Sequence, residues 1–223
     1  MMLLAIDTST AQIGLALHDG TVISGELAWL SRAHHTEQLA PGLAELLQRT
    51  GTGMEAVKAV AVAIGPGSFT ALRVGLAFAK GLALARHIPI FGIPTLDITA
   101  AAVPPSERTL IAVLQAGRKR LAAAWYHPST EGWQPEGPAV SLSAGELEAM
   151  IHKPVIICGE LSTEDRQTLG RKYRTVQLAS PAQCVRRPGV LAEIAWERWR
   201  AGRLDTAASL APIYLHTAGG PPG

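Results

Sequence analysis

The sequence has few cysteines, few aromatic residues and little net charge. Its 223 residues include two cysteines, Cys158 and Cys184. Two are too few for a disulfide framework, and their spacing is not that of a zinc site. Aromatic residues make up 5% of the chain, and the formal net charge is +2, whereas proteins that neutralise many nucleic-acid phosphates are usually more basic. These shortages argue against a disulfide-rich secreted domain, a structural zinc protein and a stand-alone nucleic-acid-binding protein.

Long apolar runs are also missing. No clean stretch reaches the roughly 20 apolar residues of a membrane-spanning helix. The first apolar run meets Asp7 too early for a signal peptide. We therefore expect a cytoplasmic protein with no membrane partner. A hydrophobic content of 48% over this length is enough for one large domain or two small ones with buried cores.

Motifs for metal-dependent and nucleophilic catalysis are absent from the sequence. No two of the seven histidines lie three or four residues apart, the spacing that places two ligands on one helix face. The Gly-x-Ser-x-Gly elbow of serine hydrolases does not occur. We therefore expect no metal site and no catalytic residues.

A glycine-rich turn, Gly65-Pro66-Gly67-Ser68, is the most informative segment. It follows an apolar run and precedes a helical pattern, so its backbone N–H groups could bind an anion or could simply turn the chain. A Walker A loop ends in Gly-Lys-Ser/Thr, but the next lysine here is Lys80. The segment therefore favours a structural turn with Ser68 as the N-cap, and a phosphate loop is the alternative.

Hydrophobic patterning predicts an α/β protein in two halves, the first opening with three antiparallel strands. The predicted strands of the first half are 3–8, 12–18, 21–29, 58–64 and 88–92, and its helices are 35–48, 68–86 and 95–102. In the second half we predict strands 109–114, 118–126 and 154–158, helices 143–150 and 188–201, and an irregular loop 128–138.

Two prolines, Pro104 and Pro105, mark a probable boundary between these halves. We expect subdomains over 1–103 and 104–216, and leave open that the last helix and the tail return to the first. Residues 217–223 have the composition of a disordered tail.

The order of elements, with an aspartate ending the first strand, resembles the actin-like ATPase (ASKHA) architecture, in which two related subdomains each hold a mixed sheet flanked by helices. Four segments carry a more specific resemblance: Met2–Thr10, His34–Leu39, Gly65–Gly75 and Pro212–Leu215. Together they resemble the TsaB (YeaZ) family, partner subunits in the bacterial machinery that makes threonylcarbamoyladenosine in tRNA. The resemblance covers nearly the whole chain and is strongest before Leu96.

The sequence departs from the family pattern at two places. Ala71 stands where relatives usually have glycine, a change that a helix interior tolerates. Gln115-Ala116-Gly117-Arg118 occupies the place of an Asp-Ala-Arg segment, so no role of that aspartate is carried over to this chain.

The resemblance implies a non-catalytic subunit, a degenerate paralogue of TsaD. It would bind TsaD and support threonylcarbamoyl transfer to the adenosine beside the anticodon of tRNAs that read codons starting with A. It further implies TsaE as a partner in the ternary complex, a homodimer when the chain is alone, and indirect contact with tRNA. No cofactor is expected on the chain alone. Whether nucleotide binds at the junction with TsaD is left open.

The alternative function is an actin-like small-molecule kinase or ATPase that uses Asp7 and the Gly65–Ser68 turn. Such a protein would hold nucleotide magnesium near the aspartate that ends the first strand. The simpler interpretation of Asp7 is a carboxylate that caps the turn formed by residues 8–10, and the sequence favours it.

The helix over 68–86 is apolar on nearly every side, so we expect other elements to cover it on two sides. Small residues recur along it every four positions and would allow another helix to approach closely: Ala71, Gly75, Ala79 and Ala83. The family resemblance implies that this helix and the helix over 35–48 contact a partner; cover by the chain's own sheet is the alternative. The predicted interface residues are Leu39, Leu43, Leu47, Thr70, Ala71, Val74, Gly75 and Phe78. On this basis Gly75→Arg should disrupt assembly and leave the isolated fold largely intact.

Three basic clusters, 118–120, 171–174 and 186–187, could contact tRNA phosphates. The low net charge and the few aromatic residues favour a solvated surface instead.

Overall fold

The computed structural model describes residues 1–31 and 34–215 and divides them into two units. The first unit comprises Met1–Thr95 and Arg187–Ile213; the second comprises Leu96–Arg186 with Tyr214 and Leu215. The elements follow in chain order as β1 Met2–Asp7, β2 Gln12–His18, β3 Ile23–Leu30, α1 His35–Thr50, a 3-10 turn Met54–Ala56, β4 Val57–Ala63, α2 Phe69–Arg86, β5 Ile90–Ile93, α3 Thr95–Ala101, β6 Thr109–Gln115, β7 Leu121–Ser129, β8 Gly132–Pro135, β9 Val140–Leu142, α4 Ala144–Met150, β10 Val155–Gly159, α5 Thr163–Gly170, β11 Val176–Leu178 and α6 Pro188–Arg200.

The boundary between the units lies earlier than the sequence predicts. The first unit ends at Thr95 rather than at residue 103, because Leu96, Ala100 and Val103 pack in the core of the second unit. The last helix, α6, belongs to the first unit, the arrangement that the sequence left open. The predicted disordered tail, 217–223, lies outside the described residues.

The first unit holds a five-stranded mixed sheet in the order β3-β2-β1-β4-β5. β2 is antiparallel to β1 and β3, while β4 is parallel to β1 and β5. The hairpin between β2 and β3 is closed by Asp19, whose Oδ1 accepts the N–H groups of Thr21 and Val22 at 2.8 and 2.9 Å. β1 and β4 are buried along almost their whole length, which is why they read as continuous apolar runs.

Three helices flank this sheet. α1 ends where Gly51 takes a left-handed backbone conformation (φ +62°) and its N–H bonds back to the helix, and α2 ends in the same way at His87 (φ +53°). α1 packs on β2 and β3, α2 on β4, and α6 on β1 and β2. The core that α1 and α2 share with the sheet is built mostly from leucine, isoleucine and valine side chains.

The second unit holds a six-stranded mixed sheet, in which β11-β10-β6-β7-β8 are neighbours and β9 pairs with β7. β6, β10 and β11 are parallel, and β7 is antiparallel to β6 and β8. The prediction of an irregular loop over 128–138 was wrong, because Gly132 (φ +102°) turns the chain so that β8 pairs with the end of β7. The predicted helix over 143–150 is present as α4, which begins at a capping box of Ser143 with Glu146. A second capping box, Ser162 with Asp165, begins the unpredicted helix α5.

Both units are therefore mixed sheets flanked by helices, as the sequence predicts. None of the helices within residues 1–31 and 34–215 is long and apolar enough to cross a membrane.

Candidate partner-binding surface

The Gly65–Ser68 turn is held by the ends of β1 and α3. The N–H of Gly65 donates to Thr95 Oγ1 at 3.0 Å, and the N–H of Ser68 donates to the carbonyl of Ser9 at 2.7 Å. Gly65 has φ +108°, and a Cβ on Gly67 would lie 2.1 Å from the Ser9 carbonyl oxygen. The turn therefore requires glycine at both positions. Ser68 occupies the N-cap position of α2, as the sequence predicts, although its hydroxyl makes no capping hydrogen bond.

Asp7 lies at the end of a chain of buried hydrogen bonds. The Thr95 hydroxyl donates to Ser9 Oγ at 2.9 Å, and the Ser9 hydroxyl donates to Asp7 Oδ1 at 2.6 Å. The backbone N–H of Ser9 also donates to Asp7 Oδ1, at 2.8 Å. Asp7 thus caps the turn that follows β1, the simpler of its two interpretations.

The small-residue row of α2 faces the chain's own sheet. A Cβ on Gly75 would lie 2.1 Å from Thr8 Oγ1, and the Thr8 hydroxyl donates to the carbonyl of Ala71 at 2.7 Å. Ala79 and Ala83 are buried in the core of the first unit. The prediction that this row receives a partner helix was therefore wrong, because the close approach is already made to the end of β1. Gly75→Arg would disrupt the fold itself.

The leucines of α1 are also largely internal. Leu39, Leu43 and Leu46 are 1%, 6% and 1% exposed and belong to the core of the first unit, whereas Leu47 is half-buried. His35, at the start of α1, is buried and its Nε2 lies 2.8 Å from the carbonyl oxygen of Thr10. Of the predicted interface residues, Leu39, Leu43, Ala71 and Gly75 thus supply little exposed surface.

An apolar groove of about 500 Å³ remains open between α1 and α2. We call it the α1–α2 groove; its lining residues are Thr36, Leu39, Phe69, Thr70, Arg73, Val74, Ala77 and Phe78. Four of these, Leu39, Thr70, Val74 and Phe78, are among the predicted interface residues.

Sequence reasoning did not place the residues at the mouth of the groove in the interface. Phe69 is 53% exposed, and the Arg73 guanidinium stacks on its ring at 3.6 Å from the centroid. Thr36 and Ala77 are also exposed. The spacing of Phe69 and Arg73, four residues apart on one helix, is the signal that could have identified this pair.

Within residues 1–31 and 34–215, no three His, Cys, Asp or Glu side chains are grouped so that they could hold a metal ion. Four of the basic residues considered for tRNA are engaged in ion pairs. Lys119 pairs with Glu164, and Arg120 pairs with Glu146. Arg186 is buried and pairs with Glu160, and Arg187 pairs with Glu26. The interpretation of Arg186 as solvated surface was therefore wrong, because its side chain is buried and paired.

Comparison with known proteins identifies the class. Residues 29–144, just over half of the chain, match the family model "TsaD: tRNA N6-adenosine threonylcarbamoyltransferase". The chain therefore belongs to the TsaD family. The resemblance to TsaB (YeaZ) members is confirmed, and so is the actin-like ATPase fold.

Two curated relatives carry the name tRNA threonylcarbamoyladenosine biosynthesis protein TsaB. The Escherichia coli protein is 36% identical over 43% of this chain and 41% of its own length. The Bacillus subtilis protein is 27% identical over 98% of this chain and 95% of its own length. The match to the first thus spans about two fifths of that relative. The solved structure of YeaZ from Pseudomonas aeruginosa has a TM-score of 0.78 at 23% identity, with 96% of this chain and 99% of that chain covered.

Proposed function

We propose that this chain is a cytoplasmic, non-catalytic partner subunit in the biosynthesis of threonylcarbamoyladenosine in tRNA. It binds a TsaD protein through the α1–α2 groove and so supports transfer of the threonylcarbamoyl group to the adenosine beside the anticodon. The observation that carries the proposal is the groove itself, an apolar concave surface with a half-exposed phenylalanine at its mouth. The names of the TsaB relatives support the pathway.

The groove has the chemistry of a protein interface rather than of a polar substrate site. Phe69, Val74 and Phe78 offer apolar area, and burying one such side chain fully contributes about 1.5–3 kcal/mol. Arg73, stacked on Phe69, adds a cation of the type enriched in binding hot spots. In the absence of TsaD the same surface would pair with a second copy of the chain, because an apolar face of this kind favours a two-fold dimer.

The kinase alternative would need Asp7 and the N–H groups of the Gly65–Ser68 turn to be available to nucleotide and magnesium. The hydrogen bonds from Ser9 to Asp7, and from Gly65 to Thr95, engage those groups within the protein. This favours the non-catalytic proposal. TsaE would join as a third subunit, tRNA would be contacted through TsaD, and any nucleotide would lie at the junction with TsaD.

The test uses Ala77→Arg, which places a charge in the groove at an exposed helical position. Ala149→Arg, at an exposed position of α4, is the matched control with the same change in charge and helix propensity. Light scattering gives the mass of each protein alone and mixed with TsaD from the same organism. We expect wild type and the control to bind TsaD, and Ala77→Arg to lose about 3 kcal/mol, roughly a hundredfold in Kd, because the charge would be buried unpaired.

Equal affinity of Ala77→Arg and wild type for TsaD would overturn the interface assignment. If the wild-type chain ignored TsaD altogether, the partner function itself would be wrong, and turnover of ATP by the isolated chain would then support the kinase alternative.

A further inference from the structure

The two cysteines of the chain are distant in sequence but adjacent in the second unit. Cys158 lies on β10 and is fully buried, while Cys184 is half-buried in the segment between β11 and α6. Both belong to one apolar cluster, and the Cys158 thiol donates at 3.2 Å to the carbonyl oxygen of Gln183, the residue before Cys184. Nothing in the proposed function uses this pair, and none of its contacts includes a residue of the α1–α2 groove.

The surroundings of Cys184 favour a thiolate. The Nη2 of Arg166 donates to Cys184 Sγ at 3.4 Å. The hydrogen bond from Cys158, the backbone N–H of Gly159 and the Arg166 guanidinium together lower the pKa of Cys184 to about 6, against the opposing effect of burial. Because the thiolate is the nucleophilic form, a half-exposed cysteine in this setting is reactive at neutral pH.

Cys158 has the opposite character. It is enclosed by the core of the second unit, and its thiol lies 3.2 Å from the carbonyl oxygen of Gln183. The hydrogen bond to Cys184 and burial raise its pKa, so it stays protonated and unreactive towards solutes. A half-buried cysteine with a lowered pKa beside a fully buried thiol is the arrangement of an attacking and a resolving cysteine.

We propose that Cys184 and Cys158 form a peroxide-reactive pair, in which Cys184 is oxidised first and Cys158 then closes an intramolecular disulfide. The Cys184 thiolate attacks one oxygen of a hydroperoxide, so that an S–O bond forms and the O–O bond breaks. Hydroxide or an alkoxide leaves, and a proton on the oxygen bound to sulfur completes the sulfenic acid. The Cys158 sulfur then attacks the Cys184 sulfur. The S–S bond forms, the S–O bond breaks, and the Cys158 proton leaves with the hydroxyl as water. Two thiols are oxidised by two electrons, and the peroxide is reduced.

The first test needs no variant. The reduced full-length protein is treated with hydrogen peroxide, denatured and alkylated, and its mass and peptides are measured. We expect loss of two hydrogen atoms, no alkylation of either cysteine, a peptide pair joined through Cys158 and Cys184, and full reversal by a dithiol. Two alkylated cysteines after treatment, or a disulfide between two molecules, would overturn the proposal.

Variants separate the roles of the two sulfurs. In Cys158→Ser we expect Cys184 to stop at the sulfenic acid, trapped by dimedone; in Cys184→Ser we expect Cys158 to remain an alkylatable thiol after denaturation. The reverse pattern would contradict the assigned order of oxidation.

Arg166→Gln tests the cation beside Cys184, with Arg171→Gln, at an exposed position after α5, as the matched control. We expect alkylation of Cys184 at pH 6 to slow about three- to five-fold in Arg166→Gln, as a rise of roughly one unit in the pKa of Cys184 would cause, and to be unchanged in the control. Equal alkylation rates in wild type, Arg166→Gln and Arg171→Gln would show that Arg166 does not lower the pKa of Cys184.

Discussion

Replacing Gly75 by alanine tests the contact between α2 and the end of β1. The new Cβ would lie 2.1 Å from Thr8 Oγ1 and 3.2 Å from the Thr8 Cβ and Cγ2 atoms. The first distance is about 1 Å shorter than side chains tolerate, so either the helix must move from the strand or the Thr8 side chain must rotate. Rotation would break the 2.7 Å hydrogen bond from Thr8 to the carbonyl of Ala71.

The expected cost follows from these two routes. Overpacking a close-packed contact costs about 1–3 kcal/mol, and leaving the buried Thr8 hydroxyl unpaired costs about 1–3 kcal/mol. The change from glycine to alanine in a helix interior returns about 1 kcal/mol. Since either route costs about 2 kcal/mol on average, we expect Gly75→Ala to lower the free energy of unfolding by about 1 kcal/mol, and by at most about 2 kcal/mol.

The matched control is Gly81→Ala in the same helix. A Cβ on Gly81 meets nothing within 4 Å, so this variant should gain up to about 1 kcal/mol from helix propensity alone. Urea unfolding, followed by tryptophan fluorescence and circular dichroism, measures both variants against wild type. In the double variant Thr8→Ala/Gly75→Ala the clash is removed, and we expect Gly75→Ala to cost much less in that background.

A Gly75→Ala protein at least as stable as wild type would refute the close contact between α2 and Thr8. An unchanged cost in the Thr8→Ala background would show that the neighbour is something other than Thr8.

Two further predictions concern the second unit. The Tyr126 hydroxyl donates to Asp97 at 2.7 Å, and burial and the negative charge of Asp97 raise the pKa of Tyr126. Tyr126→Phe should lower the free energy of unfolding by about 1–2 kcal/mol at pH 7. This difference should shrink as pH rises above about 10, because the tyrosine of the unfolded wild type ionises there. Gln115 Nε2 donates to Asp165 Oδ2 at 2.7 Å, so Gln115→Glu should lower the free energy of unfolding by about 1–2 kcal/mol at pH 7. Part of this loss should be recovered as pH falls through about 4, because one of the two carboxyl groups then takes up a proton. Urea unfolding across the two pH ranges measures both differences.

Each of these has a distinct contrary outcome. The pH range from about 8 to about 11 spans the ordinary tyrosine pKa of about 10. If the stability difference between Tyr126→Phe and wild type did not change over this range, the hydroxyl would not be in the buried contact with Asp97. In wild type, hydrogen bonds from Ser162 and Gln115 outweigh burial and lower the pKa of Asp165, so its stabilising contribution is present above about pH 4 and is lost in acid. A penalty of Gln115→Glu that grew on acidification would contradict this sign.

Local patterns in the sequence predicted most elements of the first unit. The apolar runs of β1 and β4, the Asp19 turn and the Gly51 stop of α1 each depend on neighbouring residues, so their structures follow from local chemistry. The missed elements include α5, β8, β9 and β11, all of them short. β9 and β11 have three residues each, too few to show a period, and they form by pairing with β7 and β10.

The sequence did not determine which residues of α1 and α2 are exposed, because exposure is a property of packing. The row that contains Ala71 and Gly75 reads equally well as a contact for a partner helix or for a strand of the same chain. The close approach of Gly75 to Thr8 settles the choice in favour of the chain's own strand. Phe69, by contrast, reads as a core residue and is half-exposed at the mouth of the α1–α2 groove.

The sequence by itself determined the class of fold, the family and the turn between β4 and α2, because these depend on residue order, on the spacing of apolar residues and on glycines in special conformations. Only the tertiary structure decided which side of α2 stays open, that Thr95 hydrogen-bonds to Ser9, and that Cys158 packs against the segment that holds Cys184. Each of these depends on contacts between segments far apart in the chain, and a sequence pattern does not show how close two such segments lie in space.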